Sequence, residues 1–204
     1  MKRLTASLAC LSLILVAASP ALAAKMKRKE KKNLIEHLDR TRQMFLESVE
    51  GLSEEQWNFR AGEDRWSIAE CAEHIVVSEE FIRKSIAEAL AGEPAGPEQL
   101  EGAVKDDTVL QLVVDRSQKF QAPKPIQPTA RWKDTGDIVK AFEGHRGRTV
   151  ALVKRGKDLR RFVAPHPAFE QLDAYGWFLF LSAHTERHTL QILEVKEAEG
   201  FPKG

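Results

Sequence analysis

Apolar residues recur every three or four positions along four stretches of the chain, 33–52, 67–91, 134–155 and 173–198. This spacing places them on one face of an α-helix, so each stretch is predicted to be an amphipathic helix. In the first stretch the apolar or near-apolar positions are Leu34, Leu38, Thr41, Phe45, Val49 and Leu52. No segment of useful length alternates between apolar and polar residues as a half-buried strand would. The pattern therefore predicts an all-α protein.

Capping residues mark where several of these helices begin. Ser67 and Glu70 match the capping box, in which the two side chains bind each other's backbone N–H groups at a helix start. Ser53 and Gln56 have the same spacing and predict a short helical turn between the first two long helices. Asp173 can cap the last helix.

The connections differ greatly in length. Between the second and third long helices, 93–102 is predicted to be a linker and 106–120 to be at least partly helical. Residues 121–129 contain three prolines and are predicted to be extended, whereas 156–169 is predicted to be a loop. Four long helices joined in this way predict a four-helix bundle with one long crossover.

The N-terminus has the features of a secretory signal peptide. Lys2 and Arg3 precede an apolar run at 8–18, and small residues at Ala21 and Ala23 match a signal peptidase site. The run is too short to span a bilayer as an anchor. Residues 1–23 are therefore predicted to be a cleaved signal peptide, and the protein to be exported to the periplasm or beyond the cell, without stable membrane insertion.

Removal of the signal peptide leaves a nearly neutral chain with 29 Lys and Arg against 30 Asp and Glu. It lacks the basic surplus that indicates nucleic-acid binding. Residues 24–32 are predicted to form a basic, flexible N-terminus, and 33–200 the bundle. Cys71 becomes the single cysteine, so an internal disulfide is excluded.

The last helix carries two histidines within its predicted buried stripe, which consists of Trp177, Leu181, His184, His188, Gln191 and Val195. Side chains at positions i and i+4 of a helix point the same way, so both imidazoles can reach one point. A metal ion requires that convergence, because metal–nitrogen bonds are only about 2.0–2.1 Å long. Histidines that are merely hydrogen-bonded within the core are the alternative.

A third histidine, His74, lies in the middle of the second helix. If that helix packs beside the last one, His74 can face His184 and His188, and three imidazoles leave an open coordination position of the kind found in catalytic zinc sites. His145 is a further candidate ligand. The residues that could orient these imidazoles by hydrogen bonds are Glu70, Ser78 and Gln191.

The segment 184–188, HTERH, differs from the zinc-protease motif H-E-x-x-H. That motif requires a glutamate directly after the first histidine, to act as a base, and this chain has Thr185 there. Glu186 lies about 200° around the helix from His184 and is expected to face away from the metal. The protease interpretation is therefore rejected.

The residues around the three histidines form two motifs, WSIAECAEHI at 66–75 and HTERHTLQI at 184–192. Together they resemble the DinB-like superfamily, which includes YfiT-type metal-dependent hydrolases and bacillithiol transferases. The first resembles that family's second helix, with its Trp, capping Ser and ligand His, and the second its H-x-x-x-H-x-x-Q pattern. The resemblance implies a four-helix bundle, frequently dimeric, in which His74, His184 and His188 bind a divalent metal.

Three functions follow from this resemblance. The first is a metal-dependent hydrolase that acts on a small molecule. The second is a metal-dependent thiol S-transferase, although the low-molecular-weight thiols that it would use are cytosolic and this chain has an export signal. The third is a protein that binds a metal or small ligand without catalysis. Zinc, nickel, iron and manganese all accept imidazole ligands, so the sequence does not select among them.

Overall fold

A computed structural model describes residues 26–203. Its helices are α1 (Arg28–Val49), α2 (Glu54–Asn58), α3 (Ile68–Ala91), α4 (Pro97–Glu101), α5 (Asp106–Val114), α6 (Thr135–Arg155) and α7 (Ala174–Lys196). Short 3-10 turns occupy Lys124–Ile126 and Leu159–Arg161, and strands β1 (Val163–His166) and β2 (Glu170–Asp173) form an antiparallel pair.

The four long helices, α1, α3, α6 and α7, form the predicted bundle. Helices α6 and α7 each pack against both α1 and α3, and α5 covers a further side of α7. The crossover between α3 and α6 contains α4, α5 and the first 3-10 turn. The all-α, four-helix prediction is confirmed, and the packing brings α3 beside α7.

The predicted helix caps are present at the starts of α3 and α7. Ser67 Oγ accepts the Glu70 N–H at 3.2 Å, and Glu70 Oε2 accepts the Ser67 N–H at 2.9 Å. Asp173 Oδ1 accepts the Gly176 N–H at 2.6 Å. These caps fix where each helix begins, and so determine the turn on which each histidine lies.

Helix α1 begins at Arg28, earlier than the predicted start at residue 33. Residues 28–32, which were expected to belong to a flexible N-terminus, are therefore helical. Glu30 explains the earlier start, because it accepts the Lys27 N–H at 2.7 Å and is bound by Arg160 at 2.9 Å. A carboxylate in the first turn also interacts favourably with the helix dipole.

The segment predicted as a loop, 156–169, contains β1 and leads into β2. Each strand has only four residues, which is too few for an alternating pattern to stand out in the sequence. The hairpin packs on α7, and His166 in β1 is buried.

A polar network lies at the centre of the bundle. Nε and Nη2 of Arg146 donate to the two oxygens of Glu79, both at 2.9 Å, and Nη2 also donates to Thr185 Oγ1 at 2.9 Å. Nη1 donates to Thr41 Oγ1 at 3.0 Å, and Thr149 donates to Glu79 at 2.8 Å. All four long helices therefore contribute to one buried network, which we call the Glu79–Arg146 network.

The predicted signal peptide, residues 1–23, lies outside the described residues. Between residues 26 and 203, the structure has no helix with the length and apolar character needed to cross a membrane.

Candidate metal centre

The structure brings the three predicted histidines together. Each ring offers a ligand atom, and these atoms all lie within 4.8 Å of one another. The ring centroid of His74 is 5.0 Å from that of His184 and 4.4 Å from that of His188, and the last two are 4.5 Å apart. Nitrogen atoms bound to one ion can be at most about 4.2 Å apart. The 4.8 Å limit on the spacing of the ligand atoms is only slightly above this distance, so the cluster is close to a metal-binding geometry.

The predicted buried stripe of α7 is only partly correct. Helix α7 is covered by α1, α3 and α5, so its buried surface is wider than one stripe and includes Thr185 and Thr189. His184, His188 and Gln191 are half-buried at its edge. His184 and His188 therefore lie at the edge of the buried surface of α7, whereas His74 on α3 is buried.

Hydrogen bonds fix the tautomers of two rings. His74 Nδ1 is 2.7 Å from the Ile126 carbonyl oxygen, which can only accept, so Nδ1 carries the proton. His188 Nδ1 donates to Gln191 Oε1 at 2.9 Å, and Arg116 Nη1 approaches the same oxygen at 3.5 Å. Both arrangements leave the Nε2 lone pair free to bind a metal ion.

Burial keeps the three rings neutral. Desolvation lowers the pKa of His74 to about 4, although the hydrogen bond to the Ile126 carbonyl acts in the opposite direction. The pKa values of His184 and His188 also lie well below the ordinary value, first because of burial and then because the histidines repel one another when charged. Neutral imidazole is the form that binds a metal, so the donor set fits a divalent cation.

Aromatic side chains border the cluster on two sides. The Trp66 ring lies 4.9 Å from the His74 ring and 6.2 Å from the His188 ring, measured between centroids. On the other side, Phe180 lies 5.8 Å from His184 and packs against His166 at 4.3 Å. Trp66 and Phe180 therefore place aromatic surface next to all three histidines.

Most of the other candidate residues lie elsewhere. His145 is 3.9 Å from Glu80 and 3.0 Å from Arg148, and it is not part of the cluster. Glu70 caps α3 and pairs with Arg60, so it does not orient His74. Ser78 Oγ is buried and has no hydrogen-bond partner among the described residues. Gln191 is the predicted orienting residue that does contact a histidine.

The surroundings of Glu186 and Cys71 exclude both residues from the chemistry of the site. Glu186 binds Arg40 on α1 with both carboxylate oxygens, as expected for a residue facing away from the cluster. Cys71 is fully buried, and desolvation raises the pKa of its thiol to about 12. It therefore remains a protonated core residue.

Sequence reasoning missed two contributors, the Ile126 carbonyl and Arg116. A backbone carbonyl is present at every residue, so nothing in the sequence distinguishes Ile126. Arg116 lies in a stretch without a recognisable motif, and its link to Gln191 depends on how α5 packs against α7.

Comparison with known proteins is consistent with this architecture. A family model described as the DinB superfamily matches residues 37–192. The Bacillus subtilis (strain 168) protein YuaE, described as uncharacterized, is 26% identical over 151 residues, which make up 73% of this chain and 88% of YuaE.

The solved structure of YfiT from Bacillus subtilis has the same fold, with a TM-score of 0.60 and 16% identity over 87% of this chain and 91% of YfiT. YfiT is described as a probable metal-dependent hydrolase with an unusual four-helix bundle topology. The family model covers well over half of the residues, and the chain therefore belongs to the DinB superfamily.

Proposed function

We propose that this protein binds a divalent metal ion through His74, His184 and His188 and uses it to hydrolyse a small molecule. The observation that carries the proposal is the convergence of three neutral imidazoles from two helices. The fold is similar to that of YfiT, which is described as a probable metal-dependent hydrolase. Zinc, nickel, iron and manganese all suit this donor set.

A metal ion held by His74, His184 and His188 would act as a Lewis acid, able to polarise a substrate oxygen and to lower the pKa of water. The remaining contributions come from the chain. The Ile126 carbonyl and Gln191 hold two rings in the ligating tautomer, and burial keeps the rings neutral at pH 7. Trp66 and Phe180 border the reaction space with apolar surface. Three protein ligands would leave a coordination position for substrate, as they do in catalytic metal sites.

We favour hydrolysis over thiol transfer because the N-terminal sequence predicts that the protein is exported. Its N-terminal signal is expected to be cleaved after Ala23, in a compartment outside the cytoplasm where low-molecular-weight thiols are scarce. N-terminal sequencing of the protein isolated from its native host tests this. A mature chain beginning at or near Ala24 supports export, whereas an intact Met1 start in the cytoplasm contradicts it.

The central experiment combines metal analysis with turnover. Protein purified without chelators should contain about one divalent ion per chain, because the cluster offers a single site. Chelated protein should regain activity against a panel of activated esters and amides when the metal is restored. If the protein contains metal but turns over neither these substrates nor electrophile–thiol pairs, it is a binding protein. Absence of metal would refute the proposal.

A further inference from the structure

Glu73 is a buried carboxylate immediately before His74 on α3. Its side chain is only 4% exposed. Its hydrogen bonds go to the connection between α5 and α6: Oε1 accepts the Thr129 N–H at 2.8 Å and the Thr129 hydroxyl at 3.1 Å, and Oε2 accepts the Arg131 N–H at 3.2 Å. Burial of a carboxylate is costly without such partners, so this contact has a specific role in holding the connection.

The connection takes an uncommon conformation where it meets Glu73. Ala130 has a φ of 58°, in the left-handed region that residues other than glycine seldom adopt. The N–H groups on either side of it, those of Thr129 and Arg131, both point at the one carboxylate. Successive N–H groups arranged in this way form an anion-binding concavity. A strained residue persists only where its surroundings hold it, and the carboxylate supplies that contact.

The same connection contacts His74 a few residues earlier. The 3-10 turn Lys124–Ile126 packs against α3, and the Ile126 carbonyl accepts the Nδ1 proton of His74 at 2.7 Å. Two adjacent residues of α3 therefore bind the two ends of one short segment, 126–131. Displacement of one end from Glu73 should also displace the other end from His74.

We propose that Glu73 is a positioning residue of the metal centre. It anchors the segment 126–131 so that the Ile126 carbonyl keeps the His74 proton on Nδ1 and leaves the Nε2 lone pair for the metal. The inference rests on the proposed function where it concerns metal affinity. The tautomer of His74, in contrast, is a property of the metal-free protein as well.

Glu73→Gln tests the inference, with Glu70→Gln as the matched control. Both variants neutralise a glutamate within one turn of His74, but Glu70 binds Ser67 and Arg60 rather than the connection. Two quantities are measured: the protonated ring nitrogen of His74 in metal-free protein, by long-range ¹H–¹⁵N NMR, and the affinity for Co²⁺ and Zn²⁺, by chelator competition. Glu73→Gln should reduce the Nδ1-protonated fraction and lower affinity about 10–100-fold, as loss of a ligand's orienting partner does. Glu70→Gln should change neither.

Thr129→Val provides a second, milder variant. It removes the hydroxyl that donates to Glu73 but retains the Thr129 backbone N–H, so we expect the same changes with smaller size. If Glu73→Gln does not fold, this variant decides alone. A folded Thr129→Val protein with unchanged affinity and an unchanged His74 tautomer would then overturn the inference.

The outcomes separate a positioning role from a purely structural one. If Glu73→Gln unfolds more easily yet keeps the His74 tautomer and the metal affinity, Glu73 only stabilises the connection and the inference is wrong. If the wild-type protein binds neither metal, the proposed function fails. The NMR comparison of metal-free wild type and Glu73→Gln still decides whether Glu73 sets the His74 tautomer.

Discussion

Helices α3 and α7 each contribute to two groups of polar side chains, the Glu79–Arg146 network and the three-histidine cluster. In the network, Arg146 donates five hydrogen bonds. They go to the two oxygens of Glu79, the hydroxyls of Thr41 and Thr185, and the Leu38 carbonyl. Glu79 and Arg146 are each about 1% exposed. Because its polar groups are paired with one another, such a network can hold helices together but offers no free polar atom to a ligand.

The histidine cluster is built in the opposite way. His74 and His188 each use Nδ1 for an acceptor and keep Nε2 free, and the three histidines each have a ring nitrogen within 4.8 Å of the others. His184 and Thr185 are neighbours in sequence, yet one belongs to the cluster and the other to the network. Buried polar residues therefore become informative about function only when their partners have been counted.

The largest effect is expected in the network. Replacement of Glu79 by Ala leaves the Arg146 charge buried without its partner, which should lower the free energy of unfolding by about 3–5 kcal/mol. Denaturant unfolding of the metal-free protein measures this. Simultaneous replacement of Arg146 by Met should recover part of the loss. A cost below about 1 kcal/mol for the single variant would show that the network is not the structural centre of the bundle.

Loss of a ligand histidine should affect metal rather than folding. We expect His74→Ala and His188→Ala each to weaken metal binding by more than about 100-fold. Loss of a residue that only orients a ligand costs roughly 10–100-fold, and loss of the ligand itself should cost more. The free energy of unfolding of the metal-free protein should change far less than in Glu79→Ala. Elemental analysis and chelator competition measure the affinity. His37→Ala is the control and should retain the metal, since His37 is outside the cluster.

Gln191 tests whether the hydrogen bond to His188 matters beyond the ligands themselves. Gln191→Leu removes the oxygen that accepts the Nδ1 proton of His188, and affinity should fall about 10–100-fold. Gln191→Glu keeps an acceptor and should preserve the affinity better. Equal losses in the two variants would show that packing at this position, rather than the hydrogen bond, is responsible.

Acid should weaken the metal-free protein through the cluster. The unfolded chain binds protons on histidine near pH 6.5, whereas burial lowers the pKa of folded His74 to about 4. The stabilisation that comes from keeping His74 neutral is therefore fully present above pH 6.5 and is lost as the pH falls toward 4. The free energy of unfolding should fall by up to about 1.4 kcal/mol per pH unit for each histidine with a lowered pKa. Unfolding curves between these pH values measure the slope. His74→Ala should make the slope shallower, and an unchanged slope would contradict the assignment.

The smallest effect is expected at Glu186. Its ion pair with Arg40 is partly exposed, so Glu186→Ala should cost at most about 1 kcal/mol of stability. Metal content and any hydrolytic activity should stay close to wild type. A 10²–10⁴-fold loss of activity, the usual contribution of a general base, would restore the protease-like interpretation.

Apart from the four-helix architecture itself, the features that the sequence predicted correctly are local ones. Ser67 and Asp173 correctly predict where α3 and α7 begin, because a helix cap involves only residues within the next turn. The pairing of His184 with His188 follows from the helical repeat alone, and the repeat also predicts that Glu186 faces elsewhere. Helix α1 begins before its predicted start, because its first turn depends on Arg160, which is 130 positions away from Glu30.

Tertiary structure decided everything that joins distant segments. The sequence could propose His74 as a third ligand but could not place it, because its distance from α7 depends on how two helices pack. The Ile126 carbonyl lies 52 positions from His74, and Arg146 lies 67 positions from Glu79. Neither partnership leaves a periodic trace, since a hydrogen bond between separate segments constrains position in space rather than spacing along the chain. Residue types and helical repeats thus determined the candidate ligands, and packing determined which polar groups were paired and which were left free to bind.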